Sequence, residues 1–225
     1  MKSYVVASSK DWFFRHKKSQ EYEDLNIIEI NSENDLNYSY LKKLQPEYVF
    51  FPHWNSIVNE KIYKNFKCVV FHTAPLPFGR GGSPIQNLIL RGFKTSPLCA
   101  IEMTNIVDGG GIYCSEEISL DGKISEIFFN IANTVEKLIL KIINENPNPI
   151  SQVGEIVEFK RLKPSDNELD FSLMPEELFD RIRMVDGLDY PKAFKKIGKY
   201  NMKFTNASIK DGKLYASVEL CNDKE

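Results

Sequence analysis

No apolar run in the 225-residue sequence is long enough to span a bilayer. The first such run, Tyr4-Val5-Val6-Ala7, is too short for the core of an export signal and reads as a buried strand. Cysteine is scarce. Cys68, Cys99, Cys114 and Cys221 stand far apart with no CxxC pair, which argues against a zinc site and predicts free thiols in a cytoplasmic protein. Basic blocks are missing too: 29 Lys/Arg against 31 Asp/Glu give a net charge of −2. A protein that grips a large nucleic acid usually carries a basic stripe, so neither nucleic acid nor membrane is an expected partner. The sequence also lacks GxxxxGK[ST], a GxGxxG after its first strand, HExxH and GxSxG. Those absences remove P-loop, dinucleotide-binding, zinc-peptidase and α/β-hydrolase chemistry.

What is present is alternation. Strands are expected at Ser3–Ala7, Asn26–Ile30, Tyr48–Phe51 and Cys68–Phe71, with helices at Asp11–Ser19, Asp35–Leu44 and Val58–Asn65 between them. Unbroken apolar stretches such as Cys68-Val69-Val70-Phe71 suit strands buried on both faces of a parallel sheet. The pattern predicts an α/β fold with a doubly wound, mainly parallel sheet. A Pro/Gly-rich loop, Thr73–Pro84, precedes a helix at Ile85–Arg91 and strands at Leu98–Met103 and Gly111–Glu116. Ile124–Ile143 repeats apolar residues every three or four positions, as an amphipathic helix does. The rest is polar, with a helix near Pro175–Met184 and an Asp211-Gly212 hairpin turn. Residues 1–150 read as the main domain and 151–225 as a small C-terminal α+β extension, whose hairpin edge would allow a homodimer.

The chemistry-bearing stretch runs from Val70 to Glu116. His72 lies just past a buried strand, where open α/β sheets place their sites, and Asp108 follows 36 residues later at the end of another strand. Both strand ends are therefore expected to face one edge of the sheet, where imidazole and carboxylate can meet.

The segment Phe71-His72-Thr73-Ala74-Pro75-Leu76-Pro77-Phe78-Gly79-Arg80-Gly81-Gly82-Ser83-Pro84-Ile85-Gln86 resembles the His…Pro…Arg-Gly-x-x-Pro-x-Gln loop of folate-dependent formyltransferases. Val107-Asp108-Gly109-Gly110-Gly111-Ile112 is similar to that family's Asp-x-Gly-x-Ile element, at the family's spacing from the His. Phe159, Arg161, Pro164, Asp166, Asp170-Phe171 and the Leu178–Arg183 helix resemble the segment that follows the main domain.

The resemblance implies a Rossmann-like domain that takes 10-formyltetrahydrofolate as cosubstrate and passes its formyl group to an amine. It makes His72 and Asp108 the catalytic pair. Trp54, Arg80, Gly81, Gly82, Val107 and Gly109 would line the folate site, and Lys160, Arg161 and Lys163 would bind a substrate diphosphate. The sequence departs from the family in having Phe78-Gly79 before the Arg-Gly pair, where the family often has an aromatic directly, and, more consequentially, at Val70, where an Asn usually helps hold the formyl oxygen. His53 or Asn55 would supply that donor, or the loop packs on the pterin through its backbone and Trp54. Length, charge and tail fit a sugar N-formyltransferase acting on a nucleotide-linked amino-dideoxy sugar. Alternatives are transfer to methionyl-tRNA or glycinamide ribonucleotide, formyl hydrolysis, or a binding protein that has lost turnover.

Overall fold

A computed structural model describes residues 2–187 and 190–222. The chain runs β1 (Ser3–Ser8), α1 (Asp11–Arg15), α2 (Gln20–Glu23), β2 (Asn26–Ile30), α3 (Tyr38–Leu44), β3 (Tyr48–His53), α4 (Glu60–Tyr63) and β4 (Cys68–Thr73). It continues through β5 (Phe78–Gly81), α5 (Pro84–Leu90), β6 (Thr95–Glu102), β7 (Ile112–Ser119), α6 (Ile124–Glu145) and β8 (Val157–Phe159). It closes with α7 (Pro175–Arg183), β9 (Ala193–Ile197), β10 (Tyr200–Lys210) and β11 (Lys213–Asn222).

Two compact units emerge. The first comprises residues 1–81, 96–118 and 129–158; the second comprises 82–95, 119–128 and 159–225. They do not follow one cut at residue 150, because α5 and the segment after β7 belong with the C-terminal residues.

The first unit carries a six-stranded sheet in the order β2-β1-β3-β4-β6-β7. Strands β2, β1, β3 and β4 are parallel, and their apolar runs build a core of residues such as Val5, Ala7, Val49, Phe51 and Cys68. The α/β class with a mostly parallel sheet thus stands. Strand β6 differs: it pairs with β4 antiparallel, with His72 opposite Cys99 and Val69 opposite Glu102. The expectation that the strands before His72 and Asp108 end at one edge therefore fails. The last residue of β6 sits level with a residue three before His72, about 10 Å back along β4 at the usual strand rise. A returning loop, residues 103–111, has to recover that distance.

Local chemistry sets the helix ends. Asn37 caps α3 by accepting from Tyr40 N–H at 2.9 Å, and Gln45 closes it in the left-handed conformation, φ 50°. The helices expected at 11–19 and 58–65 shrink to a turn or so, too short to persist without tertiary support. Helix α6 buries Ile127, Ile131, Val135, Leu138, Ile139 and Ile142, as its periodicity predicts, and Asn146 ends it at φ 44°. No helix among the described residues is long and apolar enough to cross a membrane.

In the second unit α7 packs on an antiparallel sheet, β11-β10-β9. Asp211 (φ 51°) and Gly212 (φ 68°) form the two-residue turn between Lys210 and Lys213, the mirror-image type that matches strand twist. Arg183 is buried, donating to Leu120 O and Gly122 O and pairing with Asp180 at 2.6 Å.

Candidate functional site

His72 is the fifth residue of β4, and its side chain is only 7% exposed. Its Nε2 lies 2.7 Å from Gly79 O, and its Nδ1 lies 3.3 Å from Asp108 Oδ2. The imidazole and the carboxylate do meet. A carbonyl can only accept, so Nε2 carries a proton and donates it to Gly79. Asp108 Oδ2 also accepts from Gly81 N–H at 2.9 Å, so backbone and imidazole converge on one carboxylate oxygen. The other carboxylate oxygen, Oδ1, has no protein hydrogen-bond partner among the described residues, and the Asp108 side chain is 17% exposed.

The Pro/Gly-rich segment expected as loop contains β5, which pairs with β8. Gly79 O and Gly81 N–H come from this one short strand, so it holds both members of the pair. Gly81 has φ 98°, which a side chain would strain.

Sequence reasoning missed Gln152. Its Oε1 accepts from Arg80 Nε at 3.0 Å and Nη2 at 2.7 Å, while its Nε2 donates to Asp108 O at 2.7 Å and Gly110 O at 2.8 Å. The amide thus ties Arg80 to the returning loop, in which Asp108 takes a left-handed φ of 51°. A second constraint is steric: a Cβ on Gly110 would lie 1.8 Å from Glu102 O, so the loop can press against the end of β6 only with glycine there. Gln152 follows a Pro-rich stretch after a long helix, and no local motif marks it.

The other expected residues divide. Val107, 73% exposed, sits beside Asp108, and Gly109 N–H donates to Ile106 O at 3.1 Å. Trp54 packs edge-on to Phe51 at 6.0 Å between ring centres; its indole N–H is buried without a hydrogen-bond partner among the described residues. His53 ends β3, where its carbonyl accepts from Ser9 N–H, and Asn55 N–H donates to Ser9 Oγ on the exposed loop beyond. Val70 pairs with Phe51 on one side and Ile101 on the other, an apolar setting with no donor. Gly82, Lys160, Arg161 and Lys163 belong to the second unit. There Gly82 N–H donates to Phe159 O, a Cβ on Gly82 would strike Arg161 Cβ at 2.5 Å, and the three basic residues are exposed. No group of three His, Cys, Asp or Glu able to hold a metal occurs among the described residues.

Comparison with known proteins decides the family. The methionyl-tRNA formyltransferase C-terminal domain profile matches residues 164–221. The solved structure of methionyl-tRNA formyltransferase from Clostridium thermocellum superposes with a TM-score of 0.93 at 37% identity, covering 99% of this chain and 100% of that one. The chain belongs to the formyltransferase family. A curated methionyl-tRNA formyltransferase from a Sulfurihydrogenibium species is 26% identical over 190 residues, 78% of this chain and 59% of the relative. This formyltransferase chain thus spans less than two thirds of the length of the curated relatives it matches. A sugar N-formyltransferase from a Shewanella species shares the fold, with a TM-score of 0.66 at 14% identity over 96% of both chains.

Proposed function

We propose that the protein transfers a formyl group from 10-formyltetrahydrofolate to the amino group of a nucleotide-linked amino-dideoxy sugar. The observation that carries the transfer chemistry is the His72–Asp108 pair with one open carboxylate oxygen. When bound, the cosubstrate supplies an activated formyl carbon: a bond to the acceptor nitrogen forms, the bond to the folate N10 breaks, and one proton passes from the amine to N10. Asp108 Oδ1 is the free acceptor for the amine's proton. His72 stands against Oδ2 and so fixes the direction of Oδ1.

The residues present fit a flat heteroaromatic ring. Val107 and Ile106 offer exposed apolar surface beside Asp108. Arg80, Gly81 and Gly109 would shape the same wall. For the formyl oxygen, the candidate replacements for the family Asn are His53, at the end of β3 two residues past the Phe51–Val70 pair, and Asn55 on the loop beyond.

The balanced charge favours a small anionic acceptor, with Lys160, Arg161 and Lys163 as diphosphate contacts. A second reading, an aminoacyl-tRNA acceptor, is favoured by the names of the sequence relatives. The test is a parallel incubation of 10-formyltetrahydrofolate with UDP-, dTDP- or GDP-linked 4-amino-4,6-dideoxyhexoses and with charged initiator tRNA, followed by mass spectrometry. Formylated sugar, lost in His72→Ala, supports the proposal. Formylation of tRNA alone overturns the acceptor, and binding without turnover of any acceptor overturns the transfer.

A further inference from the structure

Arg91 caps the C-terminal end of α5, and its guanidinium is held in place although the residue is exposed. The holder is Asn87, buried one turn earlier on the same helix. Asn87 Oδ1 accepts from Arg91 Nη1 at 2.9 Å, and the same nitrogen donates to Asn87 O at 2.9 Å. The other end of that amide faces the chain: Nδ2 shares its two hydrogens among Gly82 O at 3.1 Å, Ser83 O at 3.0 Å and Lys160 O at 3.0 Å. The guanidinium also lies 4.5 Å from the centre of the buried Phe159 ring. Gly82 N–H donates to Phe159 O at 3.0 Å, and Leu162 N–H donates to Ser83 Oγ at 3.1 Å. One amide within the second unit thus fixes both the backbone of the basic segment and the head of Arg91.

Capping a helix takes a single N–H. Here both Nη1 hydrogens go to Asn87, while Nε and Nη2 have no protein partner among the described residues. That remaining edge is a planar fork, the shape that meets two phosphate oxygens at once. The charge is open as well. Among the described residues no carboxylate pairs with Arg91, Lys160 or Arg161. Asp166, the next acid along the sequence, turns back to accept from Lys163 N–H at 2.7 Å. Stacking on Phe159 and the Asn87 contacts order a long side chain before any ligand arrives, which lowers the entropic cost of binding.

We propose that Arg91 is a phosphate-binding residue, presenting its Nε–Nη2 edge to the diphosphate of the nucleotide-linked sugar, with Asn87 as the positioning residue that orients it. The assignment rests on the acceptor reading given above and adds to it a contact from α5, outside the Lys160–Lys163 segment.

The experiment is calorimetric titration of the full chain with inorganic pyrophosphate and with UDP, dTDP and GDP. Steady-state kinetics on the nucleotide-linked amino sugars run beside it, and circular dichroism checks folding. Arg91→Met keeps an apolar stem on Phe159 and removes the fork. It weakens pyrophosphate and nucleoside diphosphate binding on the order of tenfold and raises the sugar KM in step. The KM for 10-formyltetrahydrofolate does not move, which a merely structural loss of the cap would not leave untouched. Arg91→Lys, which keeps the charge without the fork, restores only part of the binding. Sugar formylation with an unaltered sugar KM in Arg91→Met overturns the assignment and leaves the acceptor reading standing. Pyrophosphate binding that depends on Arg91, in a chain that formylates no nucleotide-linked sugar, supports the phosphate site and overturns only the acceptor. A wild type that binds neither pyrophosphate nor any of the three nucleoside diphosphates overturns the phosphate site itself.

Discussion

Replacing Gln152 by Leu removes four hydrogen bonds while keeping the side chain's approximate volume. Two of them come from the Arg80 guanidinium and two go to the carbonyls of Asp108 and Gly110. Bonds to charged groups contribute about 1.5–3 kcal/mol and neutral ones about 0.5–1.5 kcal/mol, and water recovers part of the loss where groups are only partly buried. A net effect of about 2–3 kcal/mol falls on the loop that holds Asp108 in its left-handed conformation. If most of it appears as misplacement of the carboxylate, kcat falls roughly 30- to 150-fold, since each 1.4 kcal/mol is tenfold. The KM for the formyl donor changes little, because Gln152 would not touch it. Gln152→Glu sharpens the test. It keeps the Arg80 contacts but turns both donations to carbonyls into repulsions, so it should lose activity like the Leu variant while Arg80 stays paired. Steady-state kinetics on 10-formyltetrahydrofolate turnover, with thermal melts alongside, read out both variants. A Gln152→Leu enzyme with kcat within twofold of wild type and an unchanged melt would refute the clamp.

Other outcomes follow from single contacts. Asp108→Asn keeps the shape of the side chain but removes the acceptor for the amine's proton, and should cost about a hundredfold or more in kcat without unfolding the chain. Gly110→Ala drives a methyl into Glu102 O and should destabilise by about 1–3 kcal/mol, read from a urea transition. Arg183→Met should cost about 3 kcal/mol in the same assay, because it strands Leu120 O, Gly122 O and Asp180. Burial pushes the Cys68 thiol up to about 12 and those of Cys99 and Cys114 to about 11. At pH 8 these three thiols should therefore react with a thiol reagent only slowly in the native protein and quickly after denaturation. Burial also pulls Lys18 down to about 8 from 10.5, so the unfolded chain binds more protons than the folded one between those values. Its contribution to stability should rise with pH across that window, and Lys18→Met should flatten the rise in denaturant melts.

Much of the architecture was legible because parallel strands buried on both faces announce themselves as apolar runs; β1 to β4 lie where those runs lie. Strand direction is not written in such runs, and β6 reads the same either way, so its antiparallel pairing had to be seen. Strand β5 was hidden because Phe78-Gly79-Arg80-Gly81 has turn composition, and only its pairing with β8 makes it a strand. His72 and Asp108 were legible through a motif. Gln152 was not, since its role depends on contacts with residues at least 42 positions away. The hydrogen bond from His72 to Gly79 O was likewise invisible, and it matters chemically because it spends the ring nitrogen that would otherwise face a substrate.

Gln152 has a bearing on how this chain can be divided. It lies two residues past the point where sequence composition suggests a boundary, next to the bridge between Ile112 and Ile150. An excised fragment ending at residue 150 would keep every strand of the large sheet and both His72 and Asp108. It would nonetheless lose the strut that braces the carboxylate, along with β8, the partner of the strand that grips the imidazole. The smallest portable piece of this site is thus longer than its sheet.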